Sequence, residues 1–133
     1  MIYLLDTNTC IRYLNGRAPA IRTRMATVRL TDIVVCSMVK AELYAGALRS
    51  QTPGSSLAKQ QQFLAPFRSL PFDDGAAQVY GRIRAFLTTH GQLIGPNDLC
   101  IAAIALQHNL ILVTHNTHEF QRVPGLLLDD WEV

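Results

Sequence analysis

The chain has no long apolar run, which excludes a membrane-spanning helix. No stretch of its 133 residues approaches the roughly 18 apolar residues that such a helix needs. The apolar segment at the N-terminus is too short for a signal peptide and has no basic leader. We therefore expect a cytoplasmic protein with no membrane partner.

Cysteine is scarce and shows no pattern. The three cysteines, Cys10, Cys36 and Cys100, are widely spaced and lie in apolar stretches without a C-x-x-C spacing. An odd, scattered set argues against a disulfide framework, so we expect three buried, reduced thiols.

Excess charge is also small. Twelve basic and ten acidic residues leave a net charge of +2, which permits a nucleic-acid partner but does not predict one. A loose basic quarter at the N-terminus is either a surface that follows an RNA backbone or a solvated helical face. It contains Arg12, Arg17, Arg22, Arg24 and Arg29.

Short apolar segments alternate with segments of helical composition. The predicted strands are Ile2–Leu5, Asp32–Cys36, Leu70–Phe72, Leu110–Thr114 and Leu126–Leu128. The predicted helices are Thr9–Leu14, Ala18–Leu30, Met38–Arg49 after an N-cap at Ser37, Leu57–Arg68 after a loop at Gln51–Ser56, Ala76–His90 after Asp73 and Asp74, and Asn97–His108. The alternation predicts one α/β domain over residues 1–133, with a short parallel sheet covered by helices on both faces.

Three acids occupy informative places in this pattern. Asp6 directly follows the first strand, where parallel sheets collect ligands, and is either a helix cap or part of a site. Glu42 lies on a helix of small and apolar residues, and it either faces a partner or metal or simply points outward. Asp98 is the only charge in GPNDLCIAAIALQ, and its alternative role is that of a plain acid at a helix N-terminus.

A fourth group of polar residues occurs in LILVTHNTHEF, after a predicted strand. Thr114, Asn116 and Glu119 offer oxygen ligands there, unless they form an ordinary turn with a capping pair. His115 and His118 flank this group, which leaves a minor substrate contact open. Hard oxygen ligands suit Mg²⁺ or Mn²⁺, and such metals suit phosphodiester hydrolysis.

Four segments in this order resemble the PIN-domain ribonucleases, and in particular the VapC toxins of bacterial type II toxin–antitoxin systems. They are LLDTN, VCSMVKAELYAG, GPNDLCIAAIAL and LVTHNTHEF, and the closing GLLLDDW extends the resemblance to nearly the whole chain. The resemblance implies a Rossmann-like, three-layer PIN fold and an endoribonuclease toxin that cuts RNA. Transfer RNA is the expected substrate, with initiator tRNA as the specific expectation.

The resemblance also implies which residues form the site. Asp6, Glu42 and Asp98 would hold Mg²⁺ or Mn²⁺, and Asn8 and Ser37 would position water or these ligands. Further implied partners are a second copy of the chain and a cognate VapB-like antitoxin that covers the site.

One position departs from the family pattern. Many relatives carry an Asp where this chain has Asn116, so either Glu119 supplies a fourth catalytic carboxylate or Asn116 holds the metal through water, beside Thr114. One metal ion is then expected rather than two.

Two other functions remain open. A catalytically inactive PIN-like module could bind RNA or a partner, which the amide at Asn116 allows. A phosphotransferase that forms an aspartyl phosphate also has an Asp after its first strand, but it usually needs a second Asp where Asn8 stands.

Overall fold

The structure, a computed structural model, describes residues 1–133. Five strands and seven helices alternate along the chain. The strands are β1 Tyr3–Leu5, β2 Ile33–Cys36, β3 Arg68–Leu70, β4 Ile111–Val113 and β5 Leu127–Asp129. The helices are α1 Thr7–Asn15, α2 Pro19–Met25, α3 Ser37–Leu48, α4 Pro53–Leu64, α5 Asp74–Thr89, α6 Pro96–Gln107 and α7 Thr117–Phe120, with one 3₁₀ turn at Leu30–Asp32.

The strands form a single parallel sheet in the order β3-β2-β1-β4-β5. The first strand, β1, is central, because Tyr3 pairs with Ile33 of β2 on one side and with Ile111 of β4 on the other. All five strands point the same way and therefore end at one edge. This confirms the predicted α/β fold.

The middle of the sheet is buried on both faces. Every residue of β2 and β4 is buried, as expected when helices cover both sides of a parallel sheet. Helix α3 packs on α4, and α5 packs on α6. One apolar cluster of 32 buried residues runs through these layers. None of the helices combines the length and apolarity needed to cross a membrane.

The cysteines belong to this interior. All three are free thiols, with Cys10 and Cys36 buried and Cys100 half-buried. Burial raises the pKa of each thiol, which disfavours the reactive thiolate.

Acidic caps determine where two helices begin. Asp73 caps α5 as predicted, with its Oδ1 accepting the amide N–H of Ala76 at 3.0 Å. Asp6 caps α1 in the same way through the amide of Thr9 at 2.8 Å. Helix α1 therefore begins two residues earlier than predicted. It ends at Gly16, whose φ of 71° is the left-handed conformation that glycine adopts without strain.

Proline explains two boundaries that were predicted wrongly. Helix α4 begins at Pro53 and not at Leu57, because proline lacks only an N–H that the first helical turn leaves unpaired anyway. The predicted loop Gln51–Ser56 is thus partly helical. Strand β3 spans Arg68–Leu70 and not Leu70–Phe72, since Pro71 cannot donate to a ladder.

Two further predictions were wrong near β2. Ser37 is the first residue of α3 and not its cap; the cap position belongs to Cys36, which makes no side-chain capping bond. The helix predicted over Ala18–Leu30 is only the seven-residue α2, followed by the 3₁₀ turn. The β-branched residues Thr27 and Val28, which have low helix propensity, follow shortly after its end.

The C-terminal segment packs back onto the sheet. Trp131 is 1% exposed, and its ring lies 5.3 Å from that of Tyr3. Asp129 Oδ2 accepts hydrogen bonds from Trp131 Nε1 at 3.1 Å and from Arg24 Nη2 at 2.9 Å. These contacts hold the last residues beside the edge where the strands end.

We expect Leu112→Ala to lower the free energy of unfolding by about 2–5 kcal/mol, because it opens a cavity in a fully buried strand. Urea titration followed by circular dichroism measures the change. The matched control is Leu127→Ala on β5, where the side chain is 56% exposed and much less should be lost. Equal losses in the two variants would show that the core does not lie where described.

Candidate active site at the carboxyl edge of the sheet

Asp6 stands at the end of the central strand and is 5% exposed. Its backbone continues the sheet, since its amide donates to Val113 O at 3.1 Å. Burial raises the pKa of its carboxyl group, and hydrogen bonds from Thr114 and Thr9 partly offset that rise. Asp6 is therefore both a helix cap and a buried carboxylate at a ligand-collecting edge.

Glu42 faces the same edge from α3 and does not point outward. Thr7 Oγ1 donates to its Oε1 at 2.6 Å, and Asn97 Nδ2 donates to its Oε2 at 3.3 Å. These bonds join α3 to the first turns of α1 and α6. Both donors adjoin predicted acids in sequence, in DTN and PND, and sequence analysis did not select Asn97 as a site residue.

Asp98 lies in the first turn of α6 and does not cap it. The cap position is Gly95, and the Asp98 carboxylate accepts no hydrogen bond within the protein. Burial, followed by the charges of Glu119, Glu42 and Asp6, raises its pKa to about 6. Four carboxylates predicted from separate parts of the sequence are thus close enough to interact.

Glu119 is held by the neighbouring residues of its own turn. Asn116 Nδ2 donates to Glu119 Oε2 at 2.6 Å, and the Asn116 amide donates to the buried Thr114 Oγ1 at 3.0 Å. Among the charged neighbours of Asp98, Glu119 contributes most to its raised pKa. Thr114, Asn116 and Glu119 therefore form a hydrogen-bonded turn whose acid lies near Asp98.

Not every candidate residue forms a hydrogen bond with the carboxylates. Ser37 lies at the end of β2 and Asn8 on α1, but both side chains are exposed and neither forms a hydrogen bond. His115 Nδ1 instead lies 2.9 Å from Asp130 Oδ2, and this bond raises its pKa. His118 is exposed and makes no such contact.

The basic quarter at the N-terminus is largely occupied by contacts within the protein. Arg12, Arg24 and Arg29 form ion pairs with Glu132, Asp129 and Asp32 respectively. Arg22 donates to Tyr13 O and lies 4.2 Å above the Tyr13 ring. Arg17 alone among the five has no such contact, so these residues do not form one continuous free basic face.

The donor set suits a hard divalent cation, although no group of three or more acidic, histidine or cysteine side chains is arranged to hold a metal as it stands. Asp98 has unused oxygens, and its pKa is raised by burial and then by like charges that a cation would offset. The other carboxylates are turned toward protein donors. A shared ion would offset the repulsion between these carboxylates.

Comparisons with known proteins match both the fold and the sequence. A family model described as the PIN domain matches residues 3–126. The "tRNA(fMet)-specific endonuclease VapC" of Shigella flexneri is 38% identical over 129 residues, 97% of each chain. The "Ribonuclease VapC2" of Rickettsia felis is 35% identical over 133 residues, 99% of each chain.

Solved structures agree closely. VapBC2 from Rickettsia felis, bound to a promoter DNA fragment, contains a chain with a TM-score of 0.92 and 34% identity, covering 98% of this chain and 99% of that one. DNA-bound VapBC from Salmonella typhimurium gives a TM-score of 0.91 and 36% identity, covering 98% of both chains.

The parallel sheet and its acid-lined edge therefore define a PIN domain. Within the PIN-domain family, the chain belongs to the VapC ribonucleases. This confirms the resemblance found in the sequence.

We expect Asp98→Asn to stabilise the metal-free protein at neutral pH. In the wild-type protein the folded pKa of Asp98, about 6, lies above its ordinary value of 3.8. The free energy of unfolding of wild type therefore falls as pH rises between these two values, and it stays lowered above pH 6. The gain at pH 7.5 should be on the order of 1 kcal/mol, after allowing for solvent screening of a half-exposed group.

Thermal unfolding in EDTA from pH 4 to 8 measures this effect. The difference between wild type and variant should shrink as pH falls from 6 to 4. Asp74→Asn, on an exposed acid of α5, is the control and should show no such trend. An Asp98→Asn protein no more stable than wild type at pH 7.5 would contradict the prediction.

Proposed function

We propose that this protein is a metal-dependent endoribonuclease toxin that hydrolyses phosphodiester bonds in tRNA and is neutralised by a cognate VapB-like antitoxin. The observation that carries the proposal is the mutual placement of Asp6, Glu42, Asp98 and Glu119 at one sheet edge, where their charges interact. Such crowding disfavours the folded state and is most readily explained as a cation site.

In this proposal Asp6, Glu42 and Asp98 hold Mg²⁺ or Mn²⁺, and Glu119 supplies the fourth carboxylate. When bound, the ion would polarise a phosphoryl oxygen, offset developing negative charge and favour ionisation of an attacking water. Glu119 is the charged neighbour that raises the pKa of Asp98 most, which supports Glu119 over Asn116 as the fourth acid. One ion is then expected.

The remaining polar residues orient these carboxylates. Thr7 and Asn97 hold both oxygens of Glu42, and Asn116 holds one oxygen of Glu119. Thr114 lowers the pKa of buried Asp6 by hydrogen bonding, which favours the ionised form that binds metal. Hydrogen bonds of this kind around metal ligands tune affinity and activity. Ser37 and Asn8 would position water.

The relatives support the substrate and the partner. The Shigella flexneri relative is named for tRNA(fMet), which makes initiator tRNA the specific proposal here. The similar solved structures are VapBC complexes, which supports a cognate antitoxin. An arginine of that antitoxin would be attracted to the acidic edge by charge-assisted hydrogen bonds. The homodimer and the cytoplasmic location stay predictions.

We expect the purified protein to cut total cellular tRNA at discrete positions with Mg²⁺ or Mn²⁺, and not with EDTA. Asp6→Asn and Asp98→Asn should each lower the rate by about 100-fold or more, because each removes a carboxylate that would hold the ion at the reacting phosphate. Denaturing gels and end-mapping measure the rate and the cut. Asp74→Asn is the matched control and should cut normally.

Other outcomes separate the alternatives. RNA that is bound but never cut would favour the inactive binding module. Acid-labile phosphate on Asp6 would favour the phosphotransferase. Cuts that persist in both site variants would reveal a contaminating nuclease and remove the support for catalysis.

We also expect Mg²⁺ to stabilise the folded protein. At an ion concentration ten times the dissociation constant, the gain should be about 1.4 kcal/mol. Differential scanning fluorimetry across a MgCl₂ titration, with NaCl at matched ionic strength as control, measures it. Asp98→Asn should respond much less; an equal response would place the ion elsewhere.

A further inference from the structure

A polar pocket adjoins the carboxylates but is not part of them. Its volume is about 370 Å³, and its five lining residues, none of them apolar, are Asn8, Arg12, His115, Asn116 and Glu132. A larger cavity of about 640 Å³ between α5 and α6 contains no acid. The small pocket combines a size in the range of ligand sites with a position beside the proposed reaction.

Two residues place the pocket next to the acids. Asn8 follows Asp6 by two positions on α1, and Asn116 donates directly to Glu119 at 2.6 Å. The far wall consists of Arg12 from the next turn of α1 and Glu132 from the C-terminal segment. A chain lying across the carboxylates would therefore extend into this pocket.

Ion pairs hold the walls in place. Arg12 Nε donates to Glu132 Oε1 at 2.6 Å, and the Glu132 side chain is only 7% exposed. The other oxygen, Oε2, is buried without a partner, so Arg12 is the only hydrogen-bond partner of this carboxylate. Trp131, which is 1% exposed, anchors Glu132 from the preceding position.

The ion pair between Arg12 and Glu132 leaves several hydrogen-bond donors of the pocket free. Arg12 remains 41% exposed, and its two terminal nitrogens make no hydrogen bond or ion pair within the protein. The Asn8 amide has no partner either, and the His115 ring uses only its Nδ1, toward Asp130. A guanidinium with two free, oriented donors matches the geometry of a phosphate group.

We propose that this pocket is the subsite for the sugar-phosphate next to the cleaved bond of the RNA, with Arg12 contacting its phosphate. The inference rests on the proposed ribonuclease function. No Phe, Tyr, Trp or apolar side chain lines the pocket, and the free donors of Arg12 favour a phosphate over a base as the occupant. Phosphate contacts of this kind set the position of the nucleic acid and do not read its sequence.

The pairing with Glu132 limits the strength of the contact. Part of the Arg12 charge is already balanced, so attraction depends on directed hydrogen bonds more than on net charge. We therefore expect a moderate effect on substrate binding and little effect on the chemical step. Arg12 is a positioning residue in this proposal.

The test uses the full-length protein and an RNA oligonucleotide that spans the cut mapped in total tRNA. Arg12→Gln should raise KM about tenfold with kcat within about twofold, since the contact is made equally in ground and transition states. The slope of log KM against log salt, from about 50 to about 200 mM NaCl, should be lower for Arg12→Gln than for wild type by about 0.7–0.9. This difference is the value of one phosphate contact. Arg49→Gln, on an exposed arginine at the opposite end of α3 from Ser37, is the matched control and should change neither.

A modified substrate identifies the phosphate. Neutral methylphosphonates are placed one at a time beside the cut, and the one that faces Arg12 should raise KM for wild type. The same substitution should have no further effect on Arg12→Gln, because the pair then no longer interacts.

A second variant separates loss of the phosphate contact from destabilisation of the fold. Arg12→Gln leaves the Glu132 carboxylate buried and unpaired, which is destabilising, whereas Arg12→Gln with Glu132→Gln removes both charges. If the double variant folds and keeps the wild-type KM and salt slope while wild type cleaves with metal, the subsite proposal alone is overturned. If wild type cuts no RNA under any condition, the proposed function and the subsite are overturned together.

Discussion

Like charges crowd together at the edge where five parallel strands end, and the organisation of the site follows from that repulsion. Asp6 enters from the central strand, while Glu42, Asp98 and Glu119 enter from helices around it. Water cannot fully screen these charges, since Asp6 is almost completely buried. Burial raises the pKa of Asp6, and burial followed by the charges of Glu119, Glu42 and Asp6 raises the pKa of Asp98. A carboxylate cluster that opposes folding is the kind of feature retained for function, because an apolar edge would be more stable.

Neighbouring donors keep this cluster ordered. Thr7 adjoins Asp6 in sequence but donates its hydrogen bond to Glu42. Asn97 adjoins Asp98 and also donates to Glu42. Each short motif therefore contributes one acid of its own and one donor for another acid. This exchange ties α1, α3 and α6 together at the point where their charges would otherwise push them apart.

The C-terminal segment, although remote in sequence, contributes side chains beside the carboxylates. Buried Trp131 fixes a turn that carries Glu132 to Arg12 and Asp130 to His115. The partners in the first of these pairs lie 120 positions apart in sequence. A polar concavity beside the carboxylates thus depends on one anchoring aromatic side chain at the end of the chain.

Much of the fold could be predicted because it depends on local patterns. Short apolar segments separated by helical ones allow few arrangements other than a parallel sheet, and acids at strand ends or helix starts mark the edge where ligands bind. Boundaries near Pro53 and Pro71 were less predictable, since proline is compatible with a helix start and with a strand end alike. Asp73 was identified correctly because a side-chain cap is itself a local interaction.

By itself, the amino-acid sequence determined the α/β class, the family resemblance and the acids Asp6, Glu42 and Asp98. Only the tertiary structure decided that Glu42 faces inward, that Asp98 does not cap its helix, and that Arg12 is held by Glu132. The reason is physical: strand and helix formation depends on residues a few positions apart, whereas charge interactions depend on distances in space. Those distances exist only after the sheet has brought remote segments to a common edge.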